Sequence, residues 1–123
     1  MSRQPQSVCN VPCFDRSKVD SLRAGLARNE AHLPELADFY KLLANTTRLK
    51  ILLALEKTEL CVCDIAHVLG LSIAATSHQL KMLHEGAWLR KRDDGKMVYY
   101  CLQNADLLKA VKSDLKLLSA RVG

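Results

Sequence analysis

Two pairs of cysteines carry the chemistry most open to this chain. One is Cys9-Asn10-Val11-Pro12-Cys13, and the other lies in the run Glu59-Leu60-Cys61-Val62-Cys63-Asp64. A thiolate is a soft anionic donor, and four of them can close a tetrahedral shell around one soft metal ion if the fold brings the pairs together. Residues two apart on a regular helix point to nearly opposite sides, so Cys61 and Cys63 are expected at a helix start. There the positive end of the helix dipole suits anionic ligands. Asp64 is expected to cap that helix, with an oxygen ligand as its alternative role. Four thiolates could also hold a structural zinc, but a proline-containing arm that supplies two of them suits a separable contact better than a permanent staple. A disulfide between Cys61 and Cys63 would close a small, strained ring. Cys101 is expected as a half-buried apolar residue on a strand, and His32, His67 and His84 as surface residues without a ligand pattern.

The elements that must position these thiols can be followed along the chain. Residues 1–18 lack helical or strand periodicity and contain Pro5 and Pro12, which predicts a mobile arm ahead of a single domain over 19–123. Val19, Leu22 and Leu26 recur at helical spacing. Pro34 suits the first turn of a second helix with Leu36, Phe39, Tyr40 and Leu43 on its apolar face. Asn45, Thr46 and Thr47 offer caps for a third, which buries Leu49, Leu52, Leu53 and Leu55 and ends near residue 58. From Cys61 a short helix runs to Leu69, Gly70 takes the left-handed C-terminal position, and Ser72 caps a helix from Ile73 to Glu85 that Gly86 stops. Trp88 to Arg92, the turn Asp93-Asp94-Gly95, and Lys96 to Leu102 make a two-stranded hairpin in which Val98, Tyr100 and Leu102 alternate. A last helix from about Asn104 to Arg121 carries Leu108, Val111, Leu115 and Leu118 on one stripe. The fold class is therefore mainly α, a helix-turn-helix followed by a β-hairpin wing, and the first and last helices offer surfaces for a homodimer.

Helix, short turn, helix is the arrangement that places a second helix in the major groove of DNA. The residues at the start of that helix are Ser72, Ile73, Ala74, Thr76, Ser77, His78 and Gln79. Small side chains permit close approach, hydroxyls reach phosphates or bases, and a glutamine can pair with adenine. Lys81 and the hairpin residues Arg90, Lys91, Arg92 and Lys96 form a basic set suited to phosphates, whereas Asp93 and Asp94 keep the hairpin tip out of a groove. A net charge of +5, from 18 Lys and Arg against 13 Asp and Glu, agrees with an acidic partner such as nucleic acid. The chain has no apolar run long enough to cross a membrane, and MSRQPQSVCNVPC lacks the apolar centre of a signal peptide, so a cytoplasmic protein with no membrane partner is expected. Five cysteines in a reducing cytosol are thiols for metal or redox chemistry rather than structural disulfides. No Cys-x-x-Cys pair, no nucleophilic triad order and no phosphate-binding glycine loop points to an enzyme or a small-molecule substrate.

Leu42-Leu43-Ala44-Asn45-Thr46-Thr47-Arg48-Leu49-Lys50-Ile51-Leu52, the run ELCVCD, Thr76-Ser77-His78-Gln79-Leu80 with Leu83, and Val98-Tyr99-Tyr100 together resemble the ArsR/SmtB family of winged-helix metal-sensing repressors. The resemblance covers nearly all of residues 34–120. It implies a homodimer that holds double-stranded operator DNA and leaves it when metal binds. With its N-terminal Cys-x-x-x-Cys followed by Phe14-Asp15, the chain looks like the CadC branch, in which the arm of one protomer reaches the Cys-x-Cys helix of the other. That carries over Cys9, Cys61 and Cys63 as core ligands and Cys13 as the fourth, with Cd(II) or Pb(II) as inducer and Zn(II) or Bi(III) as further candidates. The zinc-type site that many relatives carry on the last helix would fall at Asn104, Asp106, Leu117 and Ala120, and that helix holds no histidine, so this second site is expected to be lost. Two alternatives stand beside this reading: a repressor responsive to arsenite or antimonite through Cys61 and Cys63 alone, and a thiol protein that buffers metal without reading DNA.

Overall fold

The structure is a computed structural model in which residues 13–122 are described. Cys9 lies outside them. The chain divides into two units, one reaching to Ala37 and the other starting at Asp38.

In the first unit Asp15 caps helix α1 (Arg16–Ala27), its carboxylate accepting from the Lys18 amide at 3.1 Å. The helix thus begins inside the segment expected as an arm. Its first turn is polar, so apolar periodicity registers only from Val19, while the cap chemistry that starts it belongs to Asp15. None of its residues is buried, and Leu22 and Leu26 are exposed. Helix α2 (Leu33–Lys41) follows with Pro34 in its first turn, where a missing N–H costs nothing, and it runs on into the second unit.

In the second unit Phe39 stacks on Trp88 with ring centroids 4.0 Å apart, and the indole N–H donates to the Phe39 carbonyl at 3.1 Å. Asn45 caps helix α3 (Thr46–Ala54) by accepting from the Arg48 amide, and the helix closes at Leu55, earlier than residue 58. Strand β1 (Leu60–Cys61) leads directly into helix α4 (Val62–Leu69). Gly70, at φ +69°, provides the left-handed stop, and Ser72 caps helix α5 (Ile73–Glu85) by accepting from the Ala75 amide at 3.0 Å. Strands β2 (Leu89–Asp94) and β3 (Met97–Leu102) form the hairpin, and helix α6 (Leu107–Val122) follows.

The sheet is antiparallel in the order β1-β3-β2, with Leu60 opposite Tyr100 and Cys61 opposite Tyr99. The third strand is an addition to the expected two-stranded wing; two residues are too few for alternation to register, and only pairing with β3 makes them a strand. The ladder between β2 and β3 runs as far as Asp94 opposite Met97, so the turn is Gly95-Lys96 rather than Asp93-Asp94-Gly95, with Gly95 at φ +64°. At the end of α5 the left-handed residue is Ala87, at φ +68°, while Gly86 is at −87°. Gly86 serves a different need: a Cβ there would lie 1.9 Å from a methyl carbon of Leu42.

Ile51, Leu52, Ile65, Leu80, Leu83, Trp88 and Leu89 are almost wholly enclosed, and Tyr100, Leu102 and Leu108 close the core from β3 and α6. Leu49 and Leu53, expected inside, are only half-buried. They line a cleft of about 490 Å³ with Tyr40, Leu43, Val111, Leu115 and Leu118.

Candidate metal and nucleic-acid site

Cys61 ends β1 and occupies the N-cap position of α4 in an extended conformation, φ −85° and ψ 170°. Its side chain is buried and makes no capping hydrogen bond. Cys63 is the second residue of α4 and is exposed, and both are free thiols. The helix start expected for them is where they stand. Asp64 does not cap the helix: it is already a residue of its first turn, where its charge suits the dipole, and Cys61 holds the cap position. Cys13 stands exposed just ahead of the Asp15 cap and is disulfide-bonded. Cys101 is a free thiol and half-buried, as expected, opposite Arg90 in the ladder.

Among the described residues no three His, Cys, Asp or Glu side chains cluster as a metal site. The donors α4 offers are two thiols, one sheltered and one open, whose chemistry fits a thiophilic ion and is incomplete for a closed shell. At the end of the hairpin, Asn104 accepts from the Asp106 amide at 2.9 Å and Asp106 pairs with Lys109 at 2.9 Å, so both are engaged in starting α6.

Helices α4 and α5, joined at Gly70, are a helix-turn-helix. Ser72, Ala74, Ser77, His78 and Lys81 are exposed on or beside α5. Two of the residues expected to face DNA are not. Thr76 is wholly buried and its hydroxyl donates to the Ser72 carbonyl at 2.8 Å, because it falls on the same face as Leu80 and Leu83. Gln79 is half-buried, and its Oε1 accepts from Arg48 Nε at 2.8 Å, which engages one of its two lone pairs within the protein and holds the side chain toward α3.

On the wing Arg90, Lys91 and Lys96 are exposed. Arg92 is engaged within the protein: one terminal nitrogen lies 2.5 Å from Glu59, the other 3.5 Å from Asp94, and its guanidinium lies 4.8 Å from the centre of the Tyr99 ring. The hydrogen bond from Arg92 holds the Glu59 carboxyl below its ordinary range and raises Arg92 in turn. This charge ties the wing to the segment just ahead of Cys61.

Arg48 was not among the expected site residues. A cation in the first turn of a helix has the wrong sign for the dipole, and that mismatch was the one local signal that its side chain is held there by something else.

A helix-turn-helix followed by a winged sheet, with free thiols at the start of its first helix, defines a class of regulators rather than enzymes. Residues 45–86 match the family described as bacterial regulatory protein, arsR family. The cadmium resistance transcriptional regulatory protein CadC of Listeria innocua is 37% identical over 106 residues, which cover 85% of this chain and 87% of that protein. The arsenical resistance operon repressor of Escherichia coli K12 is 45% identical over 64 residues, 51% of this chain and 55% of that one. Among solved structures, the homodimeric winged helix-turn-helix DNA-binding domain of a possible ArsR-family regulator from Mycobacterium bovis superposes with a TM-score of 0.69. It is 28% identical and covers 77% of this chain and 88% of that one. The chain belongs to the ArsR family of bacterial regulatory proteins. No helix among its described residues is long and apolar enough to cross a membrane.

Proposed function

We propose that this protein is a cytoplasmic, metal-responsive transcriptional repressor that binds operator DNA as a homodimer and releases it when a soft metal ion is bound by cysteine thiolates. The observation that carries this reading is the placement of Cys61 and Cys63 at the start of α4, one helix ahead of α5 in a helix-turn-helix. A ligand gathered there acts on the element that sets the position of the recognition helix. Cys9 and Cys13 complete the donor set in this reading, and Cd(II) or Pb(II) is the inducer, ahead of Zn(II) and Bi(III). The likeness to a cadmium resistance regulator over most of both chains supports that choice. Ser72, Ala74, Ser77, His78 and Lys81 meet the DNA from α5, and Arg90, Lys91 and Lys96 meet phosphates from the wing. Release is a matter of linkage: whatever factor the metal takes from DNA affinity, DNA takes from metal affinity.

A second reading, release by arsenite or antimonite at Cys61 and Cys63 alone, is favoured by one observation. Those two are free thiols two residues apart, at the junction of β1 and α4, whereas Cys13 is disulfide-bonded and must be reduced before it can serve a metal. Fluorescence anisotropy of the protein on its own promoter DNA, under reducing conditions, tests both. Release by stoichiometric cadmium, reversed by a chelator and lost in Cys9→Ser, is expected. Release by arsenite that survives Cys9→Ser and Cys13→Ser would establish the second reading, and binding indifferent to every thiophilic ion would remove both.

A further inference from the structure

Arg48 makes three side-chain contacts, and two of them grip the recognition helix. Its Nε donates to Gln79 Oε1 at 2.8 Å, one terminal nitrogen donates to Met82 Sδ at 3.4 Å, and the other donates to the Leu42 carbonyl at 3.2 Å. Its own amide is held by the Asn45 cap at 3.1 Å. Gln79 and Met82 are three apart on α5, so they share one flank of that helix, beside the buried line of Thr76, Leu80 and Leu83. The planar guanidinium therefore bridges the corner between α2 and α3 to the flank of α5 in fixed geometry, which a lysine ammonium could not reproduce. Among the described residues Arg48 has no carboxylate partner, in contrast to Arg92, so its acceptors are all neutral and its charge stays uncompensated beneath the helix that reads DNA.

We propose that Arg48 is a positioning residue for DNA recognition: it fixes the attitude of α5 through Gln79 and Met82 and so sets the affinity for the operator relative to other DNA. The inference rests on the regulatory reading above. A residue that merely stabilised the fold would lower operator and random-sequence binding alike once unfolded protein is discounted. A residue that merely added charge would be replaced by lysine.

The test is anisotropy on operator and on random-sequence duplex of equal length, for wild type, Arg48→Met, Arg48→Lys, Gln79→Met and the Arg48→Met/Gln79→Met double variant. Circular dichroism and urea unfolding give the folded fraction of each. Losing a pair of hydrogen bonds from a fixed guanidinium predicts a fall of about tenfold in the operator-to-random ratio for Arg48→Met. Lysine is expected to leave that fall unrepaired, and the double variant to be no worse than Arg48→Met alone, since both remove the same contact. A folded Arg48→Met with an unchanged ratio would overturn the proposal, as would full restoration by lysine. Wild-type protein without any preference for its operator would instead overturn the regulatory reading, and this inference with it.

Discussion

A pair of thiols serves as a sensor site only where an ion can reach it and where binding moves something else. In the proposed site Cys63, open on the first turn of α4, gives the access, and Cys61, buried at the junction of β1 and that helix, gives the coupling. Replacing Cys61 by Ser is expected to remove metal-driven release altogether, with operator affinity in the absence of metal changed less than about threefold, because serine remains a competent N-cap. Isothermal titration with cadmium, beside anisotropy, checks this. The pairing of Arg92 with Glu59 and of Lys112 with Glu56 gives a second expectation, since both carboxyls are held below their ordinary value of 4.5 by those hydrogen bonds. A depressed carboxylate contributes stability that is fully present above its unfolded value and is lost as pH falls through its folded value. The urea midpoint should therefore stay level from neutrality down to the carboxylate range and then drop. Glu59→Gln should reduce that drop and leave the wing freer to move.

The helices begin and end where short-range chemistry directs them, and their ends offer clean tests. Gly70 sits at φ +69°, so Gly70→Ala is expected to cost about 1 kcal/mol and to loosen the turn between α4 and α5. Ala87, at φ +68°, presents the opposite case: Ala87→Gly should stabilise by about 0.5 to 1 kcal/mol by relieving a left-handed alanine. Gly86 lies between the two in logic. Its backbone conformation suits any residue, but Gly86→Ala would drive a methyl into Leu42 and is expected to cost about 1 to 3 kcal/mol. Urea unfolding of the three variants separates a conformational requirement from a packing one. Asn45 and Ser72 were legible as a cap candidate and a cap because the bond each makes reaches only three residues along the chain, whereas Asp15, whose bond is as short, lay in the segment expected as an arm. Strand β1 was not legible, since its existence depends on β3, some forty positions further on.

In the whole molecule, apolar surface remains that one copy of the chain leaves uncovered. Leu22 and Leu26 on α1, and Leu115, Leu117 and Leu118 on α6, are all about half or more exposed. In the proposed homodimer such stripes are where association would bury area, so Leu115→Glu with Leu118→Glu is expected to yield a folded monomer by light scattering. Its operator affinity should fall by at least about a hundredfold, because one winged helix engages only one half-site. Operator affinity of the wild type should also fall steeply with salt, through the phosphate contacts proposed for Lys81, Arg90, Lys91 and Lys96, while Arg92→Gln, at a side chain paired with Glu59, is expected to change that slope less than Lys91→Gln.

Composition and spacing along the chain were enough for the order of helices, the caps at Asn45 and Ser72, the helix-turn-helix, the hairpin and the location of Cys61 and Cys63 at a helix start. Each of these depends on residues a few positions apart, whose preferences act before any tertiary contact forms. What the folded structure alone decided is which side chains those elements leave available. Thr76 turned inward, Gln79 was taken by Arg48 from 31 positions away, and Arg92 was taken by Glu59 from 33 positions away. Whether a polar side chain faces DNA or another residue depends on which distant donor or acceptor the packing brings within hydrogen-bond reach, and no local pattern contains that distance.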